Sequence, residues 1–143
     1  MLGVDRLPDA LRQARRLARA AHVPSGRLSL RRVDLTDAAA VARILPEGGL
    51  RVILCFRYLD RALLPRIAAA LAPGGWLLYE TFLEAQARAG RKPSRPAFLL
   101  KPGELRTAFA GLEVVHWVEG EDARGDHTAA LVARRPGEKR RRG

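Results

Sequence analysis

The chain has 143 residues, 48% of them hydrophobic, a length that holds one core and not two. Its apolar runs fall short of the roughly 20 residues of a membrane span. Its first residues lack a basic-then-apolar leader pattern, and a lone cysteine, Cys55, excludes an intramolecular disulfide framework. The expectation is a cytoplasmic globular protein. The formal net charge is +11, and it is unevenly spread. Residues 1–43 carry nine arginines against four aspartates, and residues 134–143 carry six basic residues against one acidic. Such faces attract phosphates. The same residues also read as the solvated surface of an arginine-biased composition, with 23 arginines against 3 lysines.

The elements follow in chain order. Leu2–Val4 is a short apolar run ending in Asp5, and Pro8 opens a helix, where its missing N–H has no partner to lose. Leu11, Ala14, Leu17, Ala18 and Ala21 recur at helical spacing, with Arg12, Arg15, Arg16 and Arg19 on the other side. Residues 28–35 alternate as a strand, and a short helix runs from about Ala38 to Leu45. Leu50–Phe56 reads as a buried parallel strand. A helix over 61–71 is stopped by Pro73-Gly74-Gly75, and a buried strand follows over 76–79. Residues 81–102 carry Gly90, Pro93, Ser94, Pro96 and Pro102, and an excursion of this length is functional or mobile. A helix over 103–109 and strands over 112–118 and 128–133 complete the core; residues 136–143 read as a disordered basic tail. Trp76 and Trp117 are expected in the core. His22, His116 and His127 have no metal-ligand spacing, so no metal is expected. Strands alternating with helices argue for a mostly parallel sheet covered on both faces, with one antiparallel strand contributed by the final hairpin. Such sheets bind ligands at the carboxyl ends of their strands.

Five runs in this order carry a resemblance. They are Leu2-Gly3-Val4-Asp5 with Pro8-Asp9-Ala10-Leu11; Val33-Asp34-Leu35; Phe56 to Arg61; Leu71-Ala72-Pro73-Gly74-Gly75-Trp76-Leu77-Leu78 with Tyr79-Glu80-Thr81-Phe82; and Phe98 to Leu105. Over residues 1–135 the chain resembles class I S-adenosylmethionine-dependent methyltransferases, in particular a bacterial subgroup of unknown substrate. The resemblance implies an α/β, Rossmann-like, seven-stranded sheet with one antiparallel strand near the C-terminus and, here, its first strand absent. It implies S-adenosyl-L-methionine as cofactor. Asp5 would accept hydrogen bonds from the ribose hydroxyls and Asp34 from the adenine amino group, with Leu35 against the ring. Cys55 and Phe56 would lie beside the methionine part. Arg57, Tyr58, Arg88, Arg91 and Phe98 become candidates for the acceptor substrate, and no catalytic base stands out. Asp5 and Asp34 also suit a second role, as caps of the helices that follow.

The family's acidic-Gly-x-Gly-x-Gly loop, whose glycines let backbone approach the cofactor closely, has no counterpart in these residues. One expectation is therefore a methyltransferase for a small molecule in an N-terminally truncated form, inactive alone, with Met1 not the true start. The upstream reading frame would then encode a strand, a Gly-x-Gly loop and a helix. The alternative is a degenerate methyltransferase-fold binding module that contacts RNA or a protein through its basic faces. A weak nucleic-acid contact through the tail Lys139-Arg140-Arg141-Arg142 is a further expectation.

Overall fold

The computed structural model describes residues 1–137 and divides the chain into two units, Met1–Ile44 and the remainder from Leu45. The expectations for the basic tail beyond Gly137 lie outside the described residues.

In the first unit the order is β1 (Leu2–Asp5), α1 (Pro8–Ala20), β2 (Ser29–Arg32) and α2 (Ala38–Ile44). β1 and β2 pair in parallel, from Leu2 opposite Ser29 to Asp5 opposite Arg32. α1 begins where Pro8 fits a first turn, and it buries Leu11 on its inner face. β2 is shorter than the alternation over 28–35, because Asp34 closes a turn onto Thr36 and ends the extended backbone.

The second unit contains β3 (Leu50–Phe56), α3 (Leu64–Ala70), β4 (Leu71–Phe82), α4 (Ala85–Arg88), α5 (Glu104–Ala108), β5 (Glu113–Glu121) and β6 (His127–Arg134). Its sheet has the order β3-β4-β6-β5, with β3 parallel to β4 and β6 antiparallel to both its neighbours. The expected single antiparallel strand is thus β6, which lies inside the sheet and not at its edge. The six strands of the described residues form two sheets instead of one continuous sheet.

Registers show which side chains share a face. Ile53 stands beside Leu77, Cys55 beside Tyr79, and Tyr79 opposite Leu131. On this face Leu77, Tyr79, Leu131 and Ala133 are fully buried, and so are Leu105 and Phe109. The rings of Tyr79 and Phe109 lie 5.7 Å apart, which places α5 over this face. The other face is different. Val52, Leu54 and Phe56 are 57%, 49% and 55% exposed, and Trp76, opposite Val52, is 37% exposed. β3 is therefore buried on one side only. Its mostly apolar run resembles that of a fully buried strand, but the side chains of its second face are about half exposed. Trp76 likewise leaves the core, its ring facing the Arg134 guanidinium at 5.7 Å.

The helix expected from Arg61 starts at Leu64, because Pro65 takes the first turn and Asp60 holds the preceding loop through the Ala62 amide. β4 begins immediately after α3 and incorporates the Pro73-Gly74-Gly75 turn as an irregularity in its pairing with β3. Gly75 is required there. A Cβ would stand 2.8 Å from the Ala72 carbonyl oxygen and 3.0 Å from that of Leu50, both fixed backbone atoms. The excursion over 81–102 is tied down: the Leu100 amide bonds to the Phe82 carbonyl and the Glu84 amide to the Leu100 carbonyl, both at 2.9 Å. Its own Leu83, Leu99 and Leu100 are buried.

Truncating a side chain on the covered face leaves a cavity, whereas one on the open face is already half in water. Leu77→Ala is expected to cost about 2–5 kcal/mol in urea unfolding. Leu54→Ala is expected to cost less than about 1 kcal/mol. Equal costs would show that the open face is covered in solution.

Candidate functional site

In the first unit two carboxylates stand at the carboxyl ends of two adjacent parallel strands. Asp5 is the last residue of β1 and half-buried; Asp34 follows β2 by two residues and is exposed. Each closes a two-residue turn through a single oxygen. Asp5 Oδ1 accepts from the Leu7 amide at 2.7 Å. Asp34 Oδ1 accepts from the Thr36 amide at 2.9 Å and the Thr36 hydroxyl at 2.7 Å. Those hydrogen bonds, the hydroxyl's first, hold the Asp34 carboxyl below the usual carboxylate range, so it is ionised at neutral pH. Neither aspartate caps a helix. The residue preceding α1 is Leu7, and α2 is capped by Asp37, whose Oδ1 accepts from the amides of Ala39 and Ala40. The turn bonds leave Oδ2 of both Asp5 and Asp34 without a partner among the described residues. The neighbouring Leu35 is half-buried.

In the second unit the carboxyl ends of β3 and β4 meet the β5–β6 loop at Arg57. This residue follows β3 with φ +57°, a left-handed conformation that is rare without glycine and is held by its surroundings. Its amide bonds to the Glu80 carbonyl at 2.8 Å. Its guanidinium lies 4.4 Å over the Phe82 ring. Three carboxylates surround it: Glu80 and Asp122 at 3.3 Å and Asp126 at 3.6 Å. Nη1 is buried without a hydrogen bond, 3.6 Å from the Asp126 carboxylate. Asp126 is shared with Gln86 Nε2 at 2.8 Å and Arg91 at 3.1 Å. Fully buried Gln86 also donates to the Lys92 carbonyl and accepts from the His127 amide. Both loop aspartates are held below the usual carboxylate range. For Asp122 the first cause is the Asp126 amide; for Asp126 it is Gln86, with Arg91 adding to it.

The acceptor candidates separate. Arg57 is the centre of this cluster, and the Tyr58 carbonyl accepts from the buried Tyr79 hydroxyl at 2.7 Å. Arg88 pairs with Glu84 one turn back on exposed surface, and Phe98 is 48% exposed on a short 3-10 turn. Among the described residues no hydrogen bond or ion pair joins Arg88 or Phe98 to the Arg57 cluster. Phe56 faces the open side of β3, whereas Cys55 faces the covered side, where burial pushes its thiol pKa up. The two motif runs over 56–61 and 98–105 are bound to each other. Arg61 grips Glu104 with two bonds, at 2.6 and 3.0 Å, and donates to the carbonyls of Ala97 and Leu99. Arg61 is what holds the Glu104 carboxyl down. Sequence reasoning did not single out Asp122, Asp126 or Gln86. Their only signal is an acidic hairpin loop and a glutamine on an irregular segment.

No family model matches the chain, and no curated protein matches it. Solved structures do. The [4+2]-cyclase SpnF superposes with a TM-score of 0.65 at 15% identity, over 95% of this chain and 66% of that one. The N-methyltransferase NodS from Bradyrhizobium japonicum WM9 gives 0.64 at 20% identity, over 94% and 72%. An S-adenosylmethionine-dependent methyltransferase from Methanosarcina mazei gives 0.62 at 16% identity, over 96% and 82%. Against several matches, SpnF among them, the chain spans only half to two-thirds of the other protein's length. The chain therefore has the α/β fold of S-adenosylmethionine-dependent methyltransferases. That SpnF is named a cyclase shows that the fold alone does not fix the reaction.

Replacing Arg57 by Met should raise the carboxyl pKa of both Asp122 and Asp126, since a neighbouring cation is lost; unchanged NMR titrations would mean that the ion pairs do not form in solution. Because the native Asp126 value is lowered, its stabilisation is complete above the ordinary aspartate pKa near ~3.9 and disappears as pH falls through the native value. The melting-temperature gap between the wild type and Asp126→Asn should be constant above about pH 5 and close in stronger acid.

Proposed function

We propose that the chain is part of an S-adenosylmethionine-dependent methyltransferase for a small-molecule acceptor, in an N-terminally shortened form that is inactive alone. The observation that carries this reading is the pair of partner-free Oδ2 atoms on Asp5 and Asp34, at the carboxyl ends of two parallel strands. A carboxylate offers only acceptors, so each suits a donor ligand, the ribose diol for Asp5 and the adenine amino group for Asp34. Leu35 supplies an apolar contact for the ring. In the second unit Phe56 presents its ring at the end of β3, and Arg57 holds the β5–β6 loop beside it. When bound, the cofactor supplies a sulfonium methyl group open to in-line displacement, a reaction that asks for positioning and exclusion of water more than for a base.

The fit is partial. The loops after β1, β2 and β3 contain no glycine, so nothing in these residues lets backbone approach the methionine end. The open apolar face of β3 and its unpaired edge support a missing strand and helix. These 143 residues are therefore expected to retain adenosine contacts without useful affinity for the whole cofactor. With adenosine at millimolar concentration, NMR shift changes should centre on residues 3–7 and 33–36 and disappear in Asp5→Asn with Asp34→Asn. Shifts elsewhere, or none, would overturn the adenosine assignment. Micromolar calorimetric binding of S-adenosylmethionine by this chain would overturn its incompleteness.

A further inference from the structure

The arginines of α1 form a surface that neither the fold nor the proposed cofactor contacts use. At the helical repeat, Arg12, Arg15, Arg16 and Arg19 fall within an arc of about 100°. They run about 10 Å along the axis, at 1.5 Å per residue. All four are exposed. Arg12 pairs with Asp9; among the described residues Arg15, Arg16 and Arg19 have no carboxylate within ion-pair distance. The charge of this stripe is therefore mostly uncompensated. Arg15 and Arg19 also flank a shallow cleft of about 270 Å³ with Val23, Pro24, Ser25 and Leu28 in its wall.

We propose that this face of α1 docks on double-helical nucleic acid through its phosphates, without reading base sequence. Four observations select that partner. The basic residues of the whole 1–44 unit are arginines, without a lysine, and a guanidinium meets phosphate oxygens in two-pronged fashion. The unit has no Phe, Tyr or Trp, so it offers no platform on which unpaired bases stack, and single strands lose that contribution. A protein partner would be anchored by desolvated aromatic or aliphatic groups, and the stripe has none; Leu17, the exposed leucine of α1, stands off to one side. A membrane surface requires the helix to turn its apolar face to lipid, but that face holds the buried Leu11. One effect opposes the docking. The carbonyl end of α1 carries a partial negative charge close to Arg19. It amounts to about half an elementary charge, against the three full positive charges of Arg15, Arg16 and Arg19. The attraction therefore comes from the side chains and not from the helix end.

Fluorescence anisotropy of the full chain with labelled 16-base-pair duplexes of unrelated sequence tests this. Three phosphate contacts give a slope of log K against log salt of about −2.7, and about −3.6 if Arg12 exchanges Asp9 for a fourth phosphate. Affinity should be independent of sequence, similar for DNA and RNA duplexes, and weaker for single strands. Replacing Arg12, Arg15, Arg16 and Arg19 by Gln should weaken duplex binding at least about tenfold at low salt and remove most of the slope. The same four positions as Lys should restore most of it, which separates lost charge from lost folding. A third variant, with Gln at positions 139 to 142, isolates the tail. If this variant abolishes binding while the α1 Gln variant binds like the wild type, the proposal fails. It fails equally if anionic vesicles or an acidic polypeptide bind and duplexes do not.

Discussion

A parallel pair of strands is stable in water when both its faces are covered, and the second unit meets that condition on one face only. On the covered side the sheet and α5 bury Leu77, Tyr79, Leu105 and Phe109. On the other side Val52, Leu54 and Phe56 are about half exposed. Most of the molecule's features follow from this asymmetry. The covered face fixes the register of β3, β4 and β6, because a slip by one residue would exchange the buried and exposed sets. It thereby fixes which residues reach the carboxyl ends of β3 and β4.

Those ends are where Arg57 matters. One guanidinium lies on an aromatic ring and among carboxylates from β4 and from the β5–β6 loop. The loop is in turn held by Gln86 and Arg91 from the excursion after β4. Four segments distant in sequence are fastened at the carboxyl ends of β3 and β4. The backbone of Arg57 tolerates a left-handed conformation because these partners over-determine its position. A pre-ordered loop beside an open strand end is the arrangement expected of a site that positions a substrate.

The fold was largely legible in the sequence. β3 was legible to the residue, since its apolar run is bounded by Gly49 and by a polar stretch after Phe56. α1 was legible from its period and from Pro8. The antiparallel strand followed from the acidic, glycine-containing hairpin loop over Glu119 to Asp126. Three features were not legible. Periodicity marks Leu50–Phe56 as mostly apolar and contains nothing about which neighbours are present, so the exposed side of β3 read as buried, and Trp76 with it. The helix start at Leu64 depended on Pro65 and Asp60 acting together. The Arg57 cluster joins the end of β3 to Glu80 and Phe82 on the neighbouring strand and to a loop aspartate 65 residues away, contacts that no local pattern encodes. Asp5 and Asp34 were legible as paired carboxylates at strand ends. That both spend one oxygen on a turn and none on a helix cap required the geometry.

The unpaired edge of β3 has a consequence for the behaviour of the material itself. Leu50–Phe56 reads LRVILCF: seven residues with a single charge, no proline and no glycine, rich in residues that favour extended backbone. Such a window on an open edge is a template for cross-β stacking. Arg51 is its only gatekeeper. The shelf life of the purified chain should therefore be set by concentration more than by melting temperature, with fibrillar precipitation seeded at this strand.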